Sequence, residues 1–222
     1  MRIIAGQPVC ESIEELTHPQ SSALILVDMQ NDYLGAAGVD RRRGEFAEAH
    51  ARGIVQNTMR VLARARELGV QVVHIRYARQ ADHRYESPST LRWMFVKRGY
   101  DESTATTVEG HWGWQIIDEL TPIPSEIVFD KQRPSGFYGT DLDATLKARG
   151  MKTAIFAGVS THGCVEASAR DAELRDYYVV LLEDCLGAYR DDLHQAALAV
   201  MKSRYDVFDS EHLLRVWNDT SN

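Results

Sequence analysis

The 222-residue sequence predicts an α/β domain built on parallel strands, and three observations predict it. Short apolar runs alternate with helical stretches along the whole chain, the order produced by βαβ units with right-handed crossovers. The runs lack polar alternation, as strands buried on both faces do. The composition, 44% hydrophobic and 26% charged, is that of an ordinary globular chain, and the length suits one domain over residues 1–222 with a substantial core.

Ala23–Val27 (ALILV) reads as the first buried strand. A helix is expected from about Glu45 to Leu68, with Ile54, Met59, Val61, Leu62, Ala65 and Leu68 as apolar positions. Gly69 closes it, because glycine accepts the left-handed conformation at a helix end. Further strands are expected over Val70–Arg76, Glu126–Lys131, Thr153–Val159 and Tyr177–Asp184, with helices at Asp141–Arg149, Cys164–Arg175 and Asp191–Arg204. DVFD (Asp206–Asp209) reads as a last short strand. Tyr77–Gly113 breaks the rhythm with SPSTLRWMFVKRGY and EGHWGW, and is expected to be an ordered lid or subunit-contact region.

A formal charge of −7 argues against general nucleic-acid binding, which needs a basic surface. No apolar run approaches the roughly 20 residues that span a bilayer, and the opening MRIIAGQPVCESIEEL turns acidic too soon for a secretory signal. Cys10, Cys164 and Cys185 are too few and scattered for a disulfide framework, which points to a reducing, cytoplasmic setting. Phosphate-binding glycine motifs are absent, so nucleotide binding is not expected.

Three chemical residues stand at or just after ends of apolar runs: Asp28, Lys131 and Cys164. In an open parallel sheet the carboxyl ends of the strands share one edge, where ligands bind. Cys164 follows the small-residue turn GVSTHG and opens a helix, where the dipole and nearby N–H groups should lower its pKa below about 8.5. A buried structural cysteine is the competing assignment, and Cys185 fits that assignment better. Asp28 could take the thiol proton and return it to a leaving amine; its alternative is to cap the next segment or pair with Lys131. Lys131 could polarise both, or be an ordinary surface lysine. His162 sits two residues before Cys164 in the same turn, a spacing awkward for direct imidazole–thiol contact, so a supporting role is expected. Asp28, Gln30 and His74 invite a metal assignment, but no compact ligand cluster accompanies them, and no metal or other cofactor is expected.

The chain resembles the isochorismatase-like cysteine hydrolases from about Ala23 to Phe208, through VDMQNDY, DKQRPSGFYGTDLDATLKARG and GVSTHGCVEASARDAELRDYYVVLLEDCLGA. The resemblance implies an open, mostly parallel six-stranded sheet with helices on both faces. It implies an Asp28–Lys131–Cys164 triad that forms a thioester-type intermediate, releases ammonia or an amine, and is restored by water. It also implies a cis Val159–Ser160 peptide and an oxyanion hole formed by the N–H groups of Ser160 and Cys164. Cys164 argues against the vinyl-ether chemistry of isochorismatase proper, and HIRYARQADHRYE does not reproduce the metal site of nicotinamidases. The chain is more similar to members acting on ureido or carbamoyl compounds (ureidoacrylate, N-carbamoylsarcosine, biuret), although its Tyr77–Tyr85 loop departs from the ureidoacrylate type.

The expected partners are a small amide substrate, water and further copies of the chain in a homodimer or homotetramer joined through Arg92–Trp114. Tyr33, Trp112, Phe137 and Tyr138 are candidate apolar walls, with core or subunit packing as their alternative. Arg79, Arg190 and Arg204 are candidate clamps for a substrate carboxylate, although most arginines are simply solvated. The competing functions are hydrolysis of another small amide, nicotinamidase-like with a rearranged metal site, and a non-catalytic binding module.

Overall fold

The structure, a computed structural model, describes residues 1–42, 48–100 and 105–219. Six strands form one parallel sheet: β3 (Ser22–Val27), β4 (Gln71–Tyr77), β5 (Ile127–Lys131), β6 (Thr153–Val159), β7 (Tyr178–Gly187) and β8 (Asp206–Phe208). They follow a hairpin of β1 (Arg2–Ile4) and β2 (Gln7–Val9), and lie in the order β5-β4-β3-β6-β7-β8. The chain therefore winds outward from β3 to one edge, returns to β6 beside β3, and winds to the other edge. At that reversal the connections diverge, leaving a crevice beyond the carboxyl ends of β3 and β6.

Alternating residues of each strand enter two cores. Leu24, Leu26, Ile155 and Ala157 face α1 (Glu48–Leu68) and, with Leu213 and Trp217, form one core. Ile25, Val27, Val73 and Phe156 pack with α2 (Leu142–Ala148), α3 (Glu166–Glu173) and α4 (Asp191–Lys202) to form the other. Both faces are covered, so every residue of β3 and β6 is buried and neither strand has a polar alternation to display.

The expected start of the first long helix, Glu45, lies outside the described residues; its end at Leu68 is capped by Gly69 at φ +69. The helix expected from Cys164 begins earlier, as a π turn over Thr161–Val165 that runs into α3, so Cys164 sits inside the first turn. Several short elements lie outside these expectations. The β1–β2 hairpin is mostly exposed, with positive φ at both Ala5 and Gly6, and carries no apolar pattern. The last helix, α5 (Ser210–Asp219), did leave a signal: Asp209 Oδ1 accepts the His212 N–H at 2.7 Å, and Leu213, Leu214 and Trp217 share its buried face. Among the described residues no helix is long and apolar enough to cross a membrane.

The β3 and β6 backbones approach closely at the crevice. Gly158 has φ +122, and a Cβ there would stand 2.0 Å from the Val27 carbonyl oxygen. Neither backbone can yield without opening the β3–β6 pairing, so Gly158→Ala is expected to cost about 2–4 kcal/mol. Urea unfolding checks this, and an unchanged midpoint contradicts it.

Candidate active site

Asp28 follows β3 with φ +53, its N–H donating to the Ile75 carbonyl at 2.8 Å. Lys131 is the last residue of β5 and reaches past β4, its ammonium 4.3 Å from the Tyr77 ring centroid. Its Nζ donates to Asp28 Oδ2 at 2.9 Å, and the two side chains are 0% and 1% exposed. Half-buried Cys164 comes to the same point from the turn after β6, where its thiol interacts with both. The structure thus brings the three expected residues together at one edge of the sheet.

The electrostatics differ from the expectation for Cys164. Its thiol is pushed up to about 12, first by burial and then by the Asp28 carboxylate, against the opposing influence of Lys131. The helix terminus does not offset the loss of water, because the sulfur faces a carboxylate in an enclosed site. Burial also raises Asp28, although Lys131 opposes it. For Lys131 burial disfavours the ammonium, but Asp28 and Cys164 outweigh it and the value is raised. At neutral pH Lys131 is therefore a cation beside a neutral thiol. Moving the thiol proton to Asp28 leaves the net charge of the trio unchanged, so it avoids adding a buried charge. Asp28 Oδ1 is buried and accepts no well-formed hydrogen bond among the described residues.

The Val159–Ser160 peptide is cis, as the resemblance implies. Ser160 caps the turn that carries Cys164, its carbonyl accepting the N–H groups of Gly163 at 3.0 Å and Val165 at 3.2 Å. His162 turns to Ser160 Oγ and the Tyr189 hydroxyl, each at 3.2 Å.

A cavity of about 520 Å³ opens over these groups, lined by Asp28, Cys164, Ser160 and His162 together with Tyr33 and Arg79. Five other expected contacts lie outside its lining. Trp112 is 48% exposed and packs by Gly35, while Tyr138 is 65% exposed. Phe137 is buried in the core against Tyr177, ring centroids 6.0 Å apart. Arg190 and Arg204 are exposed and paired with Asp192 and Glu173. Sequence position near the lysine or near a strand end could not tell which way these side chains turn.

The residues missed come chiefly from the segment after β4. Pro88–Leu91 and Arg92–Lys97 form successive helical turns, and this segment gives Trp93, Arg98, Tyr100 and Thr106 to the wall; Tyr189 and Leu193 complete it. The polar residues of DMQNDY hold that segment in place. Gln30 Nε2 donates to the carbonyls of Tyr77 at 3.0 Å and Trp114 at 2.8 Å, while its Oε1 accepts the Tyr77 N–H at 2.8 Å. Asn31 donates to the Trp112 carbonyl at 3.0 Å, and Asp32 accepts the Thr107 N–H at 2.6 Å. Gln30 is therefore a brace, and the polar run after Asp28 was the available signal.

The metal assignment does not fit these residues. His74 is buried against Glu126, Nε2 to Oε2 2.8 Å, and no group of three or more His, Cys, Asp or Glu side chains suited to a metal converges among the described residues. Cys185 is fully buried in the core.

Comparison with known proteins agrees with this fold. An isochorismatase domain model matches residues 22–211. The chain is 34% identical over 191 residues to the ureidoacrylate amidohydrolase RutB of Methylobacterium radiotolerans, covering 82% of this chain and 73% of that protein. A cysteine hydrolase from Pseudomonas syringae superposes with a TM-score of 0.79 at 25% identity, over 96% of this chain and 98% of the other. An N-carbamoylsarcosine amidase from Thermoplasma acidophilum does so with a TM-score of 0.68 at 27% identity, over 86% and 96%.

Proposed function

The chain belongs to the isochorismatase family, and from that premise we propose that it is an amidohydrolase cutting a C–N bond of a small linear ureido or carbamoyl amide, with Cys164 as nucleophile. The observation that carries this reading is the buried Lys131–Asp28 ion pair, 2.9 Å long, beside a thiol on the floor of a cavity. Asp28 takes the thiol proton as sulfur attacks the carbonyl carbon. The N–H groups of Ser160 and Cys164 hold the resulting oxyanion. Asp28 then gives its proton to the departing nitrogen, the C–N bond breaks, and ammonia leaves while the acyl or carbamoyl group stays on sulfur. Water activated by Asp28 cleaves the C–S bond and restores the thiol. Protein groups perform every step, with no metal or other cofactor.

Two features favour a ureido or carbamoyl acid. Relatives of this chain are named for ureidoacrylate and N-carbamoylsarcosine. Arg79 lines the cavity at 5% exposure, ion-paired with Glu86 at 3.6 Å and donating to Thr107 Oγ1 at 3.4 Å, and a guanidinium in that wall suits a substrate carboxylate.

The test is ammonia release from ureidoacrylate, N-carbamoylsarcosine, biuret, nicotinamide and aliphatic amides, with folded Cys164→Ser as the blank. A Cys164-dependent signal confined to the ureido and carbamoyl compounds is expected, unaffected by chelator. An unimpaired Cys164→Ser variant sinks the nucleophile. Chelator-sensitive hydrolysis of nicotinamide would replace this reading with the metal-dependent one.

A further inference from the structure

We infer that His162, which the steps above leave unused, is a positioning residue that fixes Ser160 by tying its hydroxyl to Tyr189. This rests on the oxyanion role proposed for the Ser160 N–H. His162 Nδ1 lies 3.2 Å from Ser160 Oγ, and Nε2 lies 3.2 Å from the Tyr189 hydroxyl. The two rings meet edge to face, centroids 5.1 Å apart at 68°. The Arg98 guanidinium stands 4.2 Å over the other ring, that of Tyr189. All four side chains border the cavity that holds Cys164. A chain of contacts thus runs from the segment after β4, through Tyr189 just beyond β7, to the turn after β6.

The chemistry suits a rigid link. A neutral imidazole has one donor and one acceptor, while each hydroxyl can act as either, so both contacts can be satisfied together. Burial, then the Arg98 charge, holds His162 below its ordinary pKa, with Arg190 adding to this and Glu166 and Asp192 opposing it. The ring is therefore neutral at pH 7. The Ser160 carbonyl is already held by two backbone N–H groups. Anchoring its hydroxyl removes the remaining side-chain freedom and fixes the peptide plane whose N–H faces the oxyanion. The link matters most when charge develops on that oxygen, so its loss should appear in kcat rather than KM.

Three His162 variants, with Ser160→Ala and the double variant beside them, separate positioning from bulk packing. His162→Leu is expected to lower kcat about 3- to 10-fold, the worth of one hydrogen bond, with KM within about 2-fold of the parent. His162→Asn places an amide near the Nδ1 position and is expected to recover most of kcat. His162→Gln reaches towards Nε2 and is expected not to. Ser160→Ala keeps the backbone N–H and should match His162→Leu, with the double variant no worse than either single one. The Ser160 amide resonance in the resting protein gives a readout independent of turnover: it should shift in the Leu and Gln variants and return in the Asn variant. Unchanged kcat and amide resonance in His162→Leu overturn the inference, as does a rise in KM alone, which would make His162 a substrate contact. If the substrate panel is silent, the Ser160 resonance still decides the positioning role, and only the proposed reaction is lost.

Discussion

Replacing Asp28 by Asn is expected to lower kcat/KM by about 10²–10⁴-fold, the range for a lost general acid–base, while making Cys164 more reactive towards iodoacetamide. The two effects have opposite directions because Asp28 does two things. In the proposed reaction it accepts the proton that must leave the sulfur, and its negative charge disfavours thiolate. With Asn present, the proton has no acceptor in turnover, but Lys131 acts on the thiol without the carboxylate against it, and the thiol pKa falls from about 12. Alkylation, which needs only thiolate, then proceeds faster at neutral pH. In the parent enzyme the pH profile reports the same group. The proposed reaction requires ionised Asp28, so activity is expected above the Asp28 value and is lost as pH falls through it. Burial raises that value, so the acid limb should lie above the ordinary aspartate value of about 3.9. An active Asp28→Asn enzyme, or one whose thiol alkylates more slowly, would remove Asp28 from the reaction.

Lys131→Met is expected to destabilise the protein by about 3–5 kcal/mol, because it leaves the carboxylate of Asp28 buried at 1% exposure without its cation. Asp28 can relieve that cost only by holding a proton. Its folded-state pKa then stands well above the unfolded value of about 3.9, and stability falls as pH rises from the unfolded to the folded value. Urea unfolding at several pH values should show this slope. The Asp28→Asn/Lys131→Met double variant carries no buried charge at this position and should be more stable than Lys131→Met alone. The thiol responds in the other direction from the Asp28 variant. At a pH above the raised Asp28 value, where the carboxylate is ionised, losing Lys131 removes the influence that lowers the Cys164 pKa, so alkylation slows there along with turnover. Two substitutions that both abolish activity but move thiol reactivity in opposite directions cannot both be acting through a damaged fold. Equal stability of the Lys131→Met and parent proteins would show that the pair is not the buried charge couple described here.

The strands and the meeting of Asp28, Lys131 and Cys164 were legible in one dimension because both depend on period and position. A strand buried on both faces must be apolar throughout, and a residue after such a strand in a parallel sheet must emerge at the shared edge. The order GVSTHGC also locates the turn from which Cys164 enters the site. The thiol's ionisation was not legible. Helix position argues for a lower pKa, and only the enclosure of the sulfur beside Asp28 shows that the larger effect is the opposite one.

The cavity wall divides in the same way. Tyr33 and Arg79 stand close in sequence to strand ends and do line the cavity, while Phe137 and Tyr138, also near a strand end, turn into the core and out to solvent. Trp93, Arg98 and Tyr100 belong to a segment with no strand periodicity, its flanks placed by hydrogen bonds that Gln30 and Asn31 donate and Asp32 accepts, pairing residues 47 to 84 positions apart. The sequence by itself determined the sheet, its two-sided burial and which three chemical groups reach its carboxyl edge, because local pattern and strand direction are enough for these. Tertiary structure alone decided the protonation of the thiol, the walls of the cavity and the tie from His162 to Ser160 and Tyr189. Solvent exclusion and side-chain direction arise from contacts between distant segments, and neither leaves a period in the chain.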